Sequence, residues 1–214
     1  MTEFEIEYFS RAYRENYIRR NPPNKWRSFL KEILKFKTEG NLLDVGCAHG
    51  LFLYHAMRKF KCSGCDISHF ALSYARSYLP PEVNLFYGAI GNITVKRPYD
   101  VVTCFDVLEH IENLEVALKN LYELVYPRGL LVLTVPVYDG PLGWLVNRLD
   151  YDLTHQHRQS RDFWLRQVER WFEVRFYTGV WRYFLLNRFY FNTVSHMSRR
   201  WTTAILIVAE GSTM

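Results

Sequence analysis

Residues 42–50 read Leu-Leu-Asp-Val-Gly-Cys-Ala-His-Gly, and no other stretch of the chain restricts the fold as tightly. Leu42 to Val45 form a short apolar run, as expected of a strand buried on both faces. Small residues follow at alternate positions, Gly46, Ala48 and Gly50, and a helix-like stretch runs from Leu51 to Phe60. A strand that breaks into small residues and then opens a helix lets a ligand lie against bare backbone. The free N–H groups of the helix's first turn face that ligand.

Lys61–Asp66 reads as a second short strand, and it ends in an acid. Ser68 is placed to cap a helix over Phe70–Leu79. An acid at the carboxyl end of the second strand accepts hydrogen bonds from a ribose diol, and Asp66 follows Gly46 by 20 residues, the spacing that role requires. The loop is not that of a dinucleotide site, because the small residues run G-x-A-x-G and the third glycine of G-x-G-x-x-G is missing. A nicotinamide oxidoreductase is therefore disfavoured. Asp44, just before the loop, repels a pyrophosphate but suits a ligand with a cationic end. S-adenosylmethionine has a sulfonium, an ammonium and a ribose, and no phosphate.

Three segments together resemble a class I S-adenosylmethionine-dependent methyltransferase of the group that modifies small molecules. They are LLDVGCAHG (42–50), GCDIS (64–68) and YDVVTCFDVLEHIENLEVALKNLYELVYPRGLLVLTVP (99–136). The resemblance implies S-adenosylmethionine as cofactor and S-adenosylhomocysteine as product. It assigns Asp44 and Gly46 to the methionine end, with Cys47, Ala48 and Gly50 in the same loop. It gives the ribose hydroxyls to Asp66 and the adenine face to Ile67. Cys104 and Phe105 end the fourth strand, where family backbone meets the methionine part. Family members often carry an acid after the third strand, but Ala89 stands at that position, so Ile90 or Asn92 is expected to serve the adenine instead.

The alternation of strands and helices predicts an α/β, doubly wound, three-layer sandwich. Strands are expected at 41–46, 61–66, 82–87, 100–105, 129–135, 173–178 and 202–209. The resemblance makes this a mostly parallel, seven-stranded Rossmann-like sheet whose last strand is antiparallel, inserted between the fifth and sixth. Gly88 to Tyr99 is short for a parallel crossover, so a full helix is not expected there. Leu114, Ala117, Leu118, Leu121 and Leu124 make one apolar helix stripe, which Pro127 and Gly129 terminate. Residues 179–201 hold seven aromatics and read as a connecting helix with a core face or as part of a substrate wall, with core packing favoured.

The chain divides into a helical cap (1–40), a cofactor-binding core (41–136), a substrate lid (137–160) and a C-terminal helix with strands (161–214), all within one methyltransferase domain. In the cap, helices are expected around Phe4–Arg19 and Lys25–Phe36, broken at Pro22–Pro23. By resemblance this segment covers the cofactor, with Tyr8, Tyr13 and Tyr17 as candidates. Residues 137–160 are rich in Asp, His and aromatics, and follow a strand whose carboxyl end faces the cleft. Ser160 is placed to cap the next helix.

Histidine is the natural base near neutral pH. His155, in the D-L-T-H-Q-H segment, is the first candidate for contact with the acceptor, and His110, in D-V-L-E-H-I, the second. Asp152, His155 and His157 make a conceivable metal set, but no metal is expected. The Cys62-x-x-Cys65 pair lacks a partner pair, and positions three apart on a strand point to opposite faces.

A net charge of +5 with scattered basic residues reads as a solvated surface rather than a nucleic-acid groove. The N-terminus lacks a signal-like apolar run, and no stretch reaches membrane-spanning length, so a cytoplasmic location is expected. The partner expected is a small-molecule methyl acceptor, most simply an O-acceptor. Rival readings are an RNA or other macromolecule methyltransferase and an inactive S-adenosylmethionine-binding protein. The N/D-P-P-Y/F segment of adenine-N6 enzymes, which would follow the fourth strand, is replaced by F-D-V-L-E-H, so no specific nucleic-acid partner is expected.

Overall fold

The computed structural model describes residues 17–149, 152, 154–185 and 189–212. Most of the expected helix over Phe4–Arg19, with Tyr8 and Tyr13, lies outside these residues. The chain enters through a short helix α1 (Tyr17–Arg20) and a longer α2 (Pro23–Ile33). Pro23 stands in the first turn of α2, where its missing N–H is no loss. Trp26, Phe29 and Ile33 form the helix's buried face.

Five parallel strands follow: β1 (Asn41–Val45), β2 (Lys61–Asp66), β3 (Asn84–Tyr87), β4 (Tyr99–Phe105) and β5 (Val125–Pro136). Helix α3 (Leu51–Ala56) joins β1 to β2 and α4 (His69–Arg76) joins β2 to β3. The Ser68 hydroxyl caps α4 by accepting from the Ala71 amide at 3.1 Å. No helix links β3 to β4. A 3₁₀ turn (Leu108–His110) and helix α5 (Leu114–Leu124) lead from β4 to β5. All five residues of the apolar stripe on α5 are buried. The helix ends at Leu124, and Pro127–Gly129, expected as the turn that ends it, fall inside β5 at a register shift against β4, with Arg128 in the left-handed region at φ 61°.

Beyond β5 come α6 (Gly143–Leu149), α7 (Arg161–Glu169), β6 (Phe172–Leu185), β7 (Phe189–Ser195) and β8 (Ala204–Gly211). Ser160 caps α7, accepting from the Phe163 amide at 3.2 Å. The sheet order is β3-β2-β1-β4-β5-β8-β6-β7. β8 is antiparallel to both β5 and β6, so it enters between them as the resemblance implied.

Two expectations are corrected. Among the described residues the sheet has eight strands rather than seven, and residues 179–201 begin with a β-hairpin rather than a connecting helix. β6 extends to Leu185 and β7 returns antiparallel from Phe189, pairing Gly179 through Leu185 with Ser195 through Phe189. The run is rich in aromatic and β-branched residues, which suit a pleated surface better than a helix.

Two apolar cores sandwich the sheet. Leu114, Leu118, Leu121 and Trp164 pack on one face, and Trp26, Phe29, Phe52 and Leu72 on the other. Cys62 belongs to the second core and Cys65 to the first, so the two sulfurs lie on opposite faces of the sheet. No helix among the described residues is long and apolar enough to cross a membrane.

Candidate active site

The strand order reverses at β1. β2 lies on one side of it and β4 on the other, and such a switch point opens a crevice beyond the strands' carboxyl ends. A cavity of about 160 Å³ occupies that position. Its wall includes Gly46 and Ala48 after β1, Asp66 and Ile67 after β2, Gly88 to Ile90 after β3, and Phe105 to Val107 after β4.

The loop after β1 is held in a conformation few sequences tolerate. Gly46, Ala48 and Gly50 have φ of 75°, 44° and 70°. A Cβ on Gly46 would collide with the Val107 side chain. Left-handed backbone at the non-glycine Ala48 is costly and persists only where the surroundings fix it. The fixing contacts are present. The Gly46 and Cys47 amides donate to the Cys65 carbonyl at 2.8 and 3.0 Å. The Ala48 amide donates to Asp66 Oδ2 at 2.8 Å, and the Ser68 amide to Asp66 Oδ1 at 2.9 Å. Asp66 therefore fastens the loop and still reaches the cavity wall. A carboxylate oxygen that accepts one N–H keeps a lone pair for a ribose hydroxyl. The bare cradle at Gly46 and the acid beside it fit the ribose and methionine chain of S-adenosylmethionine.

The N-terminal segment closes the other side through Tyr17, Asn21, Lys25 and Trp26. Lys25 is buried, its Nζ donating to Asn21 Oδ1 at 2.8 Å and to Asp106 Oδ2 at 3.0 Å, 4.4 Å from the Trp26 ring centre. Asp106 also accepts from Thr134 Oγ1 at 2.6 Å and pairs with Arg182 of β6. Although burial opposes its charge, the Arg182 and Lys25 cations beside it hold this carboxyl well below the usual range. Burial in turn lowers the Lys25 ammonium, against the pull of Asp106. Asp106 sits at φ 58°, a strained position directly after β4.

The two histidines expected from the sequence meet. The ring centres of His110 and His155 are 4.7 Å apart. His110 lines the cavity, and His155 stands behind it, its Nδ1 3.0 Å from the Tyr138 hydroxyl. The 3₁₀ turn anchors the later segment: the Gln156 and His157 amides donate to the Glu109 carbonyl at 2.8 and 3.2 Å, and His157 Nε2 to the Ile111 carbonyl at 2.8 Å. Thr154 donates its hydroxyl to Asp152, which can only accept, so its Oγ1 accepts from His110 Nδ1 at 2.8 Å. That network assigns the proton of His110 to Nδ1 and the lone pair to Nε2. Burial, helped by the His155 charge, lowers the pKa of His110 and favours its neutral form.

A family model described as a methyltransferase domain matches residues 15–185. The chain belongs to the methyltransferase family, in its class I, S-adenosylmethionine-dependent form. A ubiquinone biosynthesis O-methyltransferase of Rickettsia bellii is 29% identical over 136 residues, which are 62% of this chain and 53% of that protein. A mitochondrial protein of the same description from Schizosaccharomyces pombe is 35% identical over 101 residues, 44% of this chain and 36% of that protein. This methyltransferase thus spans about half the length of the Rickettsia relative it matches. A crystal structure of an S-adenosylmethionine-dependent methyltransferase from Thermotoga maritima superposes with a TM-score of 0.70 at 17% identity, covering 96% of this chain and 98% of that one.

Of the residues singled out in this methyltransferase's sequence, Gly46, Ala48, Asp66, Ile67, Ile90, Phe105 and His110 share the cavity wall, and Tyr17 joins them. Others lie apart from it. Asp44 is buried beneath the loop, where it accepts from Thr103 Oγ1 at 2.7 Å, and burial pushes its carboxyl up to about 7. Cys47 packs into the core beside Phe52 and Leu53. Gly50 opens α3 against Leu79 and Ala75, and Asn92 is exposed in the β3–β4 connection. Asn21, Lys25, Trp26, Asp106 and Arg182 escaped the sequence reading. Asp106 alone carried a usable signal, an ionisable residue directly after a core strand at the switch point. The others come from segments distant in sequence, and only the packed fold brings them together.

Proposed function

We propose that this protein transfers a methyl group from S-adenosylmethionine to an oxygen of a small acceptor molecule. The observation that carries the reading is the convergence of Gly46, Asp66, Phe105 and His110 on one cavity at the switch point. In this reading Asp66 holds the ribose hydroxyls, Ile67 and Ile90 flank the adenine, and the backbone at Gly46 meets the methionine chain. Lys25 and Arg182 together outweigh the charge of Asp106, which suits the cofactor's carboxylate. Bound cofactor supplies a methyl carbon already activated by its sulfonium, so the protein's main task is alignment. His110, backed by His155, faces the acceptor hydroxyl. Tyr138, Thr154 and His155 stand behind it, and the relatives' name, O-methyltransferase, supports oxygen as the attacking atom.

The test has two parts. Calorimetry with S-adenosylhomocysteine is expected to give saturable 1:1 binding. Incubation with methyl-labelled S-adenosylmethionine and a panel of hydroxylated aromatic and aliphatic acceptors is expected to yield labelled ether. Failure to bind S-adenosylhomocysteine overturns the cofactor assignment. Binding without transfer to any hydroxyl, but with transfer to amines, overturns the choice of oxygen.

A further inference from the structure

We infer that the Arg182–Asn192 rung of the β6–β7 hairpin positions the helical wall α1–α2 of the cofactor crevice, so that Asn192, which lies outside the cavity wall, is a positioning residue for cofactor binding. The inference rests on the proposed placement of S-adenosylmethionine in that crevice. It gives a task to the strand that the sheet carries beyond the seven expected.

Directly opposed residues of an antiparallel pair share a face, and so do residues two apart on one strand. Val180 pairs with Val194 and Arg182 with Asn192, so these four side chains stand on one side of the hairpin. Thr193, on the other side, is exposed. Val180 is fully buried in the core that holds Trp26 and Phe29 of α2, and Val194 packs against the same core. The apolar rung thus carries the body of α2. The polar rung meets the end of the helices that reaches the cavity. Arg182 pairs with Asp106, which also accepts from Lys25 of α2. Asn192 donates from Nδ2 to the Arg20 carbonyl at 3.2 Å, and its own backbone carbonyl accepts from Asn24 Nδ2 at 3.1 Å.

One residue therefore ties the last residue of α1 and the first turn of α2 across the break at Pro22. The Arg20 carbonyl stands at a helix end, where intrahelical partners run out and another donor is needed. The wall residues between are stitched to one another. Asn21 Nδ2 donates to the Tyr17 carbonyl at 3.0 Å, and Trp26 Nε1 to the Asn21 carbonyl at 3.2 Å. Tyr17, Asn21, Lys25 and Trp26, all on the cavity wall, form one piece seated on the hairpin.

Stability alone does not account for the asparagine. Asn192 is 6% exposed, and its Oδ1 has no hydrogen-bond partner among the described residues. An unmet buried oxygen is costly, and a valine on this strand would avoid the cost. What asparagine supplies and valine does not is the Nδ2 donor. A wall held in its binding position for only a fraction of the time lowers the apparent affinity by that fraction.

The experiment uses the full chain. Wild type, Asn192→Val and Asn24→Ala are titrated with S-adenosylhomocysteine by calorimetry, and backbone hydrogen exchange is followed by mass spectrometry with and without it. Asn192→Val is expected to weaken binding about threefold to tenfold, the worth of one hydrogen bond, and Asn24→Ala by less. Exchange is expected to quicken over residues 17–33 while β1, β4 and β5 keep wild-type rates. Saturating S-adenosylhomocysteine is expected to restore slow exchange over 17–33; a merely structural residue would quicken exchange throughout, with no local reversal by the ligand. If Asn192→Val does not fold, Asn24→Ala carries the test, because Asn24 is an exposed helix residue. Wild-type affinity in the deciding variant, exchange quickened throughout, or exchange over 17–33 that is unchanged or that the ligand does not slow overturns the inference and leaves the proposed reaction standing. A wild-type chain that binds no S-adenosylhomocysteine overturns the proposed cofactor site, and this inference with it.

Discussion

The Asp66 carboxylate accepts a hydrogen bond from the Ala48 amide at 2.8 Å, so the acid that ends β2 fixes the loop that ends β1. The two halves of the cofactor signal, read as separate motifs in the sequence, are one hydrogen-bonded unit in the fold. Asp66→Asn must present an NH₂ group either to the Ala48 or to the Ser68 amide, donor against donor. The variant is expected to lose ~1–3 kcal/mol of stability. S-adenosylhomocysteine affinity is expected to fall by about 10- to 100-fold through loss of a charge-assisted bond. Thermal melting and calorimetry on one sample check both, and unchanged affinity would remove Asp66 from the cofactor site.

Gly46 combines φ 75° with a Cβ position occupied by Val107. Gly46→Ala is expected to cost ~1–2 kcal/mol from the left-handed backbone alone, with the steric contact adding to it. Gly46→Ala combined with Val107→Ala relieves only the contact. The double variant is expected to regain part of the stability in a denaturant titration, yet to bind S-adenosylhomocysteine more weakly than wild type.

Asp44 gives a pH dependence with a definite sign. Its carboxyl is raised to about 7 by burial, whereas the unfolded chain ionises it near the ordinary value of 3.8. Between those values the folded state binds more protons than the unfolded state, so this group lowers stability as pH rises from about 4 to 7. Asp44→Asn keeps an acceptor for Thr103 and removes the buried charge. It is expected to raise the melting temperature at pH 8 and to leave it little changed at pH 4. Equal effects at both pH values would contradict the raised pKa.

Lys25→Met leaves Asp106 without one of its two cations. The loss is expected at about 3 kcal/mol, the low end for a buried pair broken from one side, because Arg182 and Thr134 still hold the carboxylate. Urea denaturation measures it. S-adenosylhomocysteine binding is expected to weaken in the same variant, since Lys25 lines the cavity.

His155→Ala is expected to leave S-adenosylhomocysteine affinity nearly unchanged while turnover drops about 10²–10⁴-fold, the usual worth of a group acting on the proton of the reacting atom. The residue lies behind His110 rather than in the wall, so its removal disturbs the acceptor end alone. Methyl transfer at saturating cofactor measures the effect; a parallel loss of cofactor affinity would place His155 elsewhere.

The local signals in the sequence determined much of this architecture. The apolar run at Leu42–Val45, the short strand at Lys61–Asp66, the small residues between and the stripe on Leu114–Leu124 each carry their own period and punctuation. They predicted the strands, the helix and the loop-plus-acid pair, because each element's period and end signals are set by neighbours along the chain. The extra hairpin at β6–β7 was not legible: its aromatic-rich run suits a strand or a packed helix equally until a neighbouring strand supplies the ladder.

The tertiary structure alone decided which ionisable groups share a space. Asp44 was assigned to the cofactor by position; the register of β1 against β4 sets it beside Thr103, buried under the loop. Lys25, Asp106 and Arg182 lie 76 or more residues apart where they pair across the fold. His110 and His155 meet because a segment 44–48 residues downstream folds back onto the Glu109 and Ile111 carbonyls. One-dimensional spacing fixes which face a residue takes on its own element. Which groups meet across elements follows from chain reversal and sheet order, and these are settled by burying the two cores together.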